Sequence, residues 1–243
     1  MRRIVTALMV LLTAGTLQAG VIISDAYHDA YVYDGSTELA GDQYTTSIAS
    51  PTSADLYPSV SDGFARTEMS RSPTGLDVTL THQRPTSLYS FVQSSGWDTF
   101  TVDVPTTYTI SGTYGMSGAG TISLAAHLYD STTDQYLFDN GQESVKTAEL
   151  PNQMFTLGSM AGDYSYLDGF LTGTLQPGQE YQFYYNAYIH NYPDDVGSAS
   201  ASGNISLGLN QVPEPSTVTS LIILSLLGGL RSAIGRWRRK RAA

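Results

Sequence analysis

The sequence predicts an all-β protein whose main domain is an antiparallel β-sandwich. Apolar and polar residues alternate with a period of two in several segments, which is typical of strands that bury one face. Gly, Ser, Thr and Tyr dominate, and no stretch shows a sustained helical period. Turns rich in Gly, Pro, Ser and Asp separate the segments, which favours a two-layer sandwich. A jelly-roll arrangement is the first expectation, and a barrel is the alternative.

Five segments show this alternation within a few residues. The apolar sets that should share an inward face are Leu76/Val78/Leu80, Phe100/Val102/Val104, Tyr108/Ile110, Ile122/Leu124/Ala126 and Ile205/Leu207/Leu209.

The longest predicted strand is Glu180–His190, which is rich in tyrosine. Period-two alternation places Tyr181 and Tyr185 on its apolar face and Tyr184 and Tyr188 on its polar face. The chain holds 17 tyrosines, more than a core of this size needs. Outward aromatic rings can stack on sugar rings, so Tyr184, Tyr188 and Trp97 are candidate sugar-binding residues. Packing of that face against loops is the competing interpretation.

The connections between strands carry weaker signals. Pro177-Gly178 has the residues of a type II turn and predicts a hairpin between a strand near Phe170–Leu175 and the tyrosine-rich strand. Gly35–Gly63 alternates poorly and is expected to form long loops. Asp130–Glu143 is expected to be a polar excursion between strands.

Charge is distributed very unevenly along the chain. Residues 20–211 hold 21 of the 22 acidic residues but only four of the 12 basic ones, Arg66, Arg71, Arg84 and Lys146. Such an acidic surface repels phosphate backbones and argues against nucleic-acid binding. Cysteine is absent, which excludes disulfides, thiol catalysis and Cys-based metal sites.

The amino terminus has the pattern of a cleaved signal peptide. Arg2 and Arg3 form a positive region, Ile4–Leu12 is apolar, and small residues follow up to Ala19, after which we place the cleavage. The apolar part is too short to span a membrane. Residues 1–19 are therefore a predicted signal peptide, and residues 20–211 the predicted exported sandwich domain.

The carboxy terminus, residues 212–243, has three parts in a fixed order. An extended motif at 212–217 (Val212, Pro213, Glu214, Pro215, Ser216, Thr217) precedes an apolar stretch at 216–235, whose only charge is Arg231. The stretch is just long enough for one transmembrane helix. The tail 236–243 contains Arg236, Arg238, Arg239, Lys240 and Arg241, and basic flanks stay cytoplasmic. We expect a single-pass precursor in the inner membrane with the domain outside.

This tail resembles the PEP-CTERM sorting signal of Gram-negative bacteria. The resemblance covers about 30 residues and rests on the motif, the span and the basic end together. It implies that an exosortase, a membrane peptidase, recognises Val212, Pro213, Glu214 and Pro215. It also implies a protein of the cell surface or extracellular matrix, associated with exopolysaccharide and biofilm.

No enzyme motif is present in the sequence. Gly115-Met116-Ser117-Gly118-Ala119 approaches a nucleophile elbow but lacks the last glycine and the strand-to-helix context. A non-enzymatic surface protein is the main prediction, a carbohydrate-binding module is the first alternative, and a polysaccharide hydrolase or lyase is the second. No cofactor is expected. Oxygen-bearing side chains on presumed loops leave a structural calcium ion as an option, although ordinary solvated loop acids are the more common outcome: Asp25, Asp29, Asp130, Asp134, Asp139, Asn140, Asp194 and Asp195.

Overall fold

A computed structural model describes residues 20–46, 53–85, 89–118, 120–146, 153–159, 167–190 and 197–212. Contacts divide the chain into Met1–Gln211 and Val212–Ala243, and all the strands lie in the first unit. The predicted signal peptide, Asp194, Asp195 and the tail from Pro213 onward lie outside the described residues. Within those ranges, no helix is long and apolar enough to cross a membrane.

Fourteen antiparallel strands make up the described fold. They are β1 (Val21–Asp34), β2 (Thr37–Thr46), β3 (Ser53–Leu56), β4 (Phe64–Ser72), β5 (Gly75–Arg84), β6 (Ser90–Val102), β7 (Thr106–Gly118), β8 (Thr121–Asp130), β9 (Gln135–Lys146), β10 (Gln153–Thr156), β11 (Leu167–Gly169), β12 (Thr172–Leu175), β13 (Glu180–His190) and β14 (Ala199–Gln211).

The strands form two sheets, which confirms the predicted β-sandwich. The first sheet has the order β11-β9-β8-β13-β6-β1-β2. The second has the order β10-β7-β14-β5-β4-β3, with β12 also paired to β7. The chain crosses between layers repeatedly, as in the Greek-key connections of jelly rolls. The jelly-roll assignment itself stays a prediction.

The core lies between the two sheets and is built from alternate residues of each strand. Burial in β6 and β13 alternates along the whole strand, as the period of a half-buried strand requires. The predicted inward sets are buried except for Val104, and Leu80, Ile122 and Ile205 are fully inaccessible. One set is shorter than expected, because β6 ends at Val102 before the predicted Val104.

The predicted hairpin at Pro177-Gly178 is wrong. Gly178 has a φ of +79°, as the third position of a type II turn requires. The strands on either side, however, lie in different sheets, because β12 pairs with β7 and β13 pairs with β6 and β8. The turn therefore joins the two layers rather than two neighbouring strands.

Two segments expected to be irregular contain strands. Gly35–Gly63 contributes β2 and β3, which are edge strands of the first and second sheets respectively. β2 is mostly exposed, so its sequence is not constrained to alternate. The polar excursion at Asp130–Glu143 reduces to a turn at 131–134, which leads into β9.

Candidate functional site

The outward side chains of the first sheet form the candidate site, because strand register aligns them in rows across the sheet. The central strands are β1, β6, β13 and β8. Their cross-strand partners define a first row, which we call the aromatic row: Tyr27, Trp97, Tyr184 and His127. Side chains opposite one another on neighbouring strands lie within contact distance. The register thus brings rings from four separate strands into one line.

The rings of the aromatic row form two stacked pairs. Tyr27 and Trp97 are stacked with centroids 6.3 Å apart and an interplanar angle of 27°. Tyr184 and His127 are stacked at 4.6 Å and 17°. All four side chains are half-buried, so the rings keep accessible surface. Burial lowers the pKa of His127 to about 4, so its ring is neutral at neutral pH.

A row of short side chains runs beside the aromatic row, at a distance of two residues on each strand. This polar row consists of Asp29, Ser95, Asn186 and Ala125. Ser95 Oγ donates a hydrogen bond of 2.5 Å to Asp29 Oδ1. Asn186 Oδ1 has no hydrogen-bond partner in the described part of the chain. Because these side chains are shorter than Tyr or Trp, the polar row forms the floor of a trough.

More rings border the polar row on its other side. Tyr31 and Tyr188 lie in the row next to the polar row, and Tyr33 and Phe91 lie one row further out; we call these four rings the second aromatic band. Successive centroids lie 5.6 Å apart from Tyr31 to Tyr33, 5.6 Å from Tyr33 to Phe91 and 5.3 Å from Phe91 to Tyr188. The polar row is therefore flanked by rings on both sides.

The edge strand β2 holds Tyr31 in place. Gly41 lies opposite Tyr31 in the register, and a Cβ at Gly41 would come within 2.6 Å of the Tyr31 ring. Gln43 donates from Nε2 to the hydroxyl of Tyr31. Glycine is needed at position 41 because only the bare backbone lets the ring lie this close.

The outer face of the first sheet is acidic. Register places six carboxylates on it: Asp25, Asp29, Glu38, Asp139, Asp168 and Glu180. Asp139 and Asp168 are directly opposite each other on β9 and β11. Burial, together with the charge of Asp168, raises the pKa of Asp139. This pair lies at one end of the aromatic row, because Asp139 pairs with His127 on β8.

The three sequence-predicted sugar-binding residues lie on this face in two groups. Trp97 and Tyr184 are neighbours in the aromatic row, whereas Tyr188 belongs to the second aromatic band. The sequence reasoning missed Tyr27, Tyr31 and Tyr33, although they alternate with buried residues along β1 in the same way. That period-two alternation could have predicted that these three tyrosines face outward. Their alignment with Trp97 needed the register.

A buried cluster of charged side chains, which we call the charged core cluster, joins the two sheets. Arg71 on β4 donates to both oxygens of Asp98 on β6, at 2.8 Å from Nε and 2.5 Å from Nη2. His28 Nε2 lies 3.0 Å from Asp98 Oδ1 and 2.6 Å from Arg71 Nη2, and His28 Nδ1 lies 2.9 Å from the Tyr185 hydroxyl. Gly96 makes room for the imidazole, since a Cβ there would lie 2.2 Å from His28 Nδ1.

Burial sets the protonation states of the charged core cluster. Burial lowers the pKa of His28 and outweighs the opposing pull of Asp98. For Asp98, burial would raise the pKa, but hydrogen bonds from His28 and Arg71 hold it below its ordinary value. The cluster therefore consists of a charged Arg71–Asp98 pair and a neutral imidazole. None of these side chains reaches solvent, so we assign the cluster to stability.

A second buried group contains a serine beside a histidine. Thr67 Oγ1 donates to Ser94 Oγ at 2.6 Å, Ser94 Oγ lies 2.7 Å from His82 Nε2, and His82 Nδ1 bonds the Tyr114 hydroxyl. This contact would suit nucleophilic catalysis only if a substrate could reach it. All four side chains are fully buried between the sheets, so this group is also structural.

Of the described side chains predicted as possible calcium ligands, Asp134 lies in the turn at 131–134 and the others lie in strands rather than loops. Asp25 and Asp29 lie in β1, and Asp139 and Asn140 lie in β9. Asp130 ends β8 and accepts backbone hydrogen bonds from Thr132 and Thr133. Among the described side chains, no group of three or more His, Asp or Glu could hold a metal ion.

Comparisons with known proteins do not assign the chain to a family. No family model matches the sequence, and no curated protein matches it. A solved carbohydrate-binding module of the β-sandwich superfamily is 10% identical over 78% of this chain and 86% of that one, with a TM-score of 0.21. The structure of infectious bursal disease virus, Gt strain, is 10% identical over 91% of this chain and 77% of that one, with a TM-score of 0.16. Similarities this weak do not bear on function.

Proposed function

We propose that the protein is a non-enzymatic polysaccharide-binding protein that uses the outer face of its first sheet. The observation that carries this proposal is the polar row flanked by the aromatic row and the second aromatic band. Aromatic rings present flat apolar surface to the apolar faces of sugars, while hydroxyl, amide and carboxylate groups between them bond sugar hydroxyls. A polymer lying across the strands meets both kinds of group along its length.

We further propose that the protein is exported and sorted to the cell surface or the extracellular matrix. The sequence of the two ends supports this, with a signal-like segment at 1–19 and a PEP-CTERM-like segment at 212–243. In this proposal an exosortase processes the inner-membrane precursor near Pro213, Glu214 and Pro215. A polysaccharide-binding domain delivered by that route would tie the protein to exopolysaccharide.

Binding is tested by removing two neighbouring rings of the aromatic row. Trp97→Ala with Tyr184→Ala is expected to weaken affinity for the bound polysaccharide about 100-fold, because loss of a central aromatic contact costs roughly 1–2 kcal/mol each. Affinity electrophoresis of the full-length protein in mild detergent, through gels containing neutral, amino or acidic polysaccharides, measures the change.

The matched control for this test is Tyr57→Ala, which removes an exposed ring beside Phe64 on the second-sheet side. Its mobility should equal that of the wild type. If the double variant is retarded as strongly as the wild type by every polymer that retards the wild type, the proposed binding face is wrong.

The proposal excludes hydrolysis and β-elimination. The opposed pair Asp139 and Asp168 is where a hydrolase would place its carboxylates on this face. Incubation of the protein with each polysaccharide that it binds should release no reducing ends and no unsaturated products. Release that disappears in Asp139→Asn would make the protein a hydrolase or lyase instead.

Sorting is tested at the Pro-Glu-Pro motif. Pro213→Ala with Pro215→Ala is expected to leave essentially all of the chain as unprocessed precursor in the inner membrane, because the extended peptidase target is lost. Immunoblotting of membrane and extracellular fractions from an exosortase-positive host measures processing. Ser216→Ala with Thr217→Ala, which keeps both prolines, is the control and should be processed normally. Normal processing of the proline variant would refute the sorting assignment.

A further inference from the structure

The position of Asp29 in the trough indicates which class of polysaccharide the face accepts. Asp29 lies on the polar row with Tyr27 and Tyr31 two residues to either side on the same strand, which places their side chains about 7 Å away on the same face. Trp97 follows in the aromatic row, two residues from Ser95, the cross-strand partner of Asp29. A carboxylate is thus surrounded by aromatic rings on a half-buried surface.

Two neighbouring hydroxyls hold the carboxylate of Asp29 in place. Ser95 Oγ donates to Oδ1 at 2.5 Å. Burial, with hydrogen bonds to Tyr31 and Asp29 and the charge of Asp29, raises the pKa of Tyr27, so its hydroxyl stays neutral. Both partners of Asp29 are uncharged donors. The two hydroxyls hold the carboxylate in place and bring no positive charge to offset it.

The basic residues of the domain lie away from Asp29. Arg71 and Arg84 are buried between the sheets, and Arg66 pairs with Asp55 and Glu68 on the second sheet. Lys146 lies on β9, opposite Thr121 in the register, and three strands separate β9 from β1. The negative field of the outer face therefore has no nearby cationic side chain to offset it in the part of the chain that the structure describes.

An ammonium group is the ligand that fits this environment. A cation is attracted by the faces of Tyr and Trp rings and by a carboxylate, and both attractions strengthen when the site is partly shielded from water. A carboxylate or sulfate on a ligand would instead be repelled by Asp29 and by the other acids of the face.

We propose that the trough selects polysaccharides bearing free amino groups, with the ammonium placed on Asp29 between Tyr27, Tyr31 and Trp97. This inference rests on the proposed polysaccharide binding and adds the class of ligand. Neutral polymers bind through the rings and through hydrogen bonds to the polar row, without the contact between opposite charges. Acidic polymers are excluded.

The test compares two polymers with the same backbone. Full-length protein in mild detergent is bound to chitin beads and to beads of the deacetylated polymer, chitosan, at low and at high salt. We expect binding to chitosan to be about 5- to 10-fold tighter at low salt, as for one part-exposed charge contact with aromatic support. The difference should shrink at 1 M NaCl, where charges are screened.

The variant Asp29→Asn tests whether Asp29 causes the preference for chitosan, and Asp77→Asn controls for the change in overall charge. Both variants lose one negative charge, but Asp77 lies on the second sheet, opposite Ser206. We expect Asp29→Asn to bind chitin like the wild type and to lose the preference for chitosan, whereas Asp77→Asn keeps the preference.

The outcomes separate the inference from the proposed function. Equal affinity of the wild type for both polymers would overturn the amino preference and leave polysaccharide binding standing. An equal loss of preference in both variants would show that net charge, and not the trough, attracts the polycation. No binding to chitin, chitosan or any other polymer in the gel series would overturn both.

Discussion

Asp98→Ala is expected to lower the free energy of unfolding by about 3–5 kcal/mol, because it leaves the guanidinium of Arg71 buried without its counter-charge. Arg71 and Asp98 exchange two hydrogen bonds in the core, and both side chains are nearly inaccessible. The lost carboxylate also removes a partner of His28 Nε2. Urea denaturation followed by tyrosine and tryptophan fluorescence measures the change.

Two further variants show whether the buried charge is the cause. Asp77→Ala, at an exposed site on the second sheet, should change stability by less than about 1 kcal/mol. Asp98→Leu with Arg71→Met removes both charges and should recover much of the loss, because an apolar pair avoids desolvating ions. If the double variant is no more stable than Asp98→Ala, the buried charge does not explain the loss.

Acid is expected to destabilise the sandwich between about pH 6.5 and 3, and His82 should make the largest single contribution. Complete burial lowers the pKa of His82 to about 3, from 6.5 in the unfolded chain. Between these two pH values the unfolded state binds a proton that the folded state does not bind. The free energy of unfolding is therefore highest above pH 6.5 and falls as the pH drops toward 3. A shift of this size corresponds to roughly 5 kcal/mol.

The geometry around His82 explains the resistance to protonation. The neutral ring offers one donor and one acceptor, which match the hydroxyls of Tyr114 and Ser94. A proton would add a charge with no carboxylate beside it. The shifts of His28, whose pKa is lowered by burial, and of His127 have the same sign, so they add to the acid sensitivity.

The measurement is the free energy of unfolding at intervals between pH 7.5 and 3.5, for the wild type and His82→Gln. The variant should be less stable at pH 7 because its amide fits the two hydroxyls less well. Its stability should nevertheless depend less steeply on pH, since the titrating group is gone. An unchanged slope would mean that His82 does not carry the acid sensitivity. His190→Gln serves as a comparison on the outer face.

The sequence predicted strands best where one face is buried along the whole strand. β13 matches the predicted Glu180–His190 at both ends, because Tyr181, Phe183 and Tyr185 must all reach the core. β2 was missed because an exposed edge strand has no such constraint. The turn at Pro177-Gly178 was predicted correctly. The hairpin was not, because the residues of a turn do not determine which sheet the next strand joins.

The candidate site was predictable residue by residue but not as a surface. Alternation alone placed Tyr184 and Tyr188 outward on their strand. It could not show that Trp97 and Tyr27 lie beside Tyr184, because cross-strand register depends on partners that are distant in sequence. The buried charges were not anticipated either, since Arg71 and Asp98 are 27 residues apart and come from different layers.

The sequence by itself determined the layered all-β class, the faces of individual strands and the acidic balance of the domain, because each depends on local periodicity or composition. It also supplied the sorting hypothesis, which rests on a short linear motif. Only the tertiary structure decided which rings share a row, that Asp29 lies between them, and that Arg71 and Asp98 pair in the core. Those features follow from strand order and register, which are set by packing across the whole sandwich and not by any one segment.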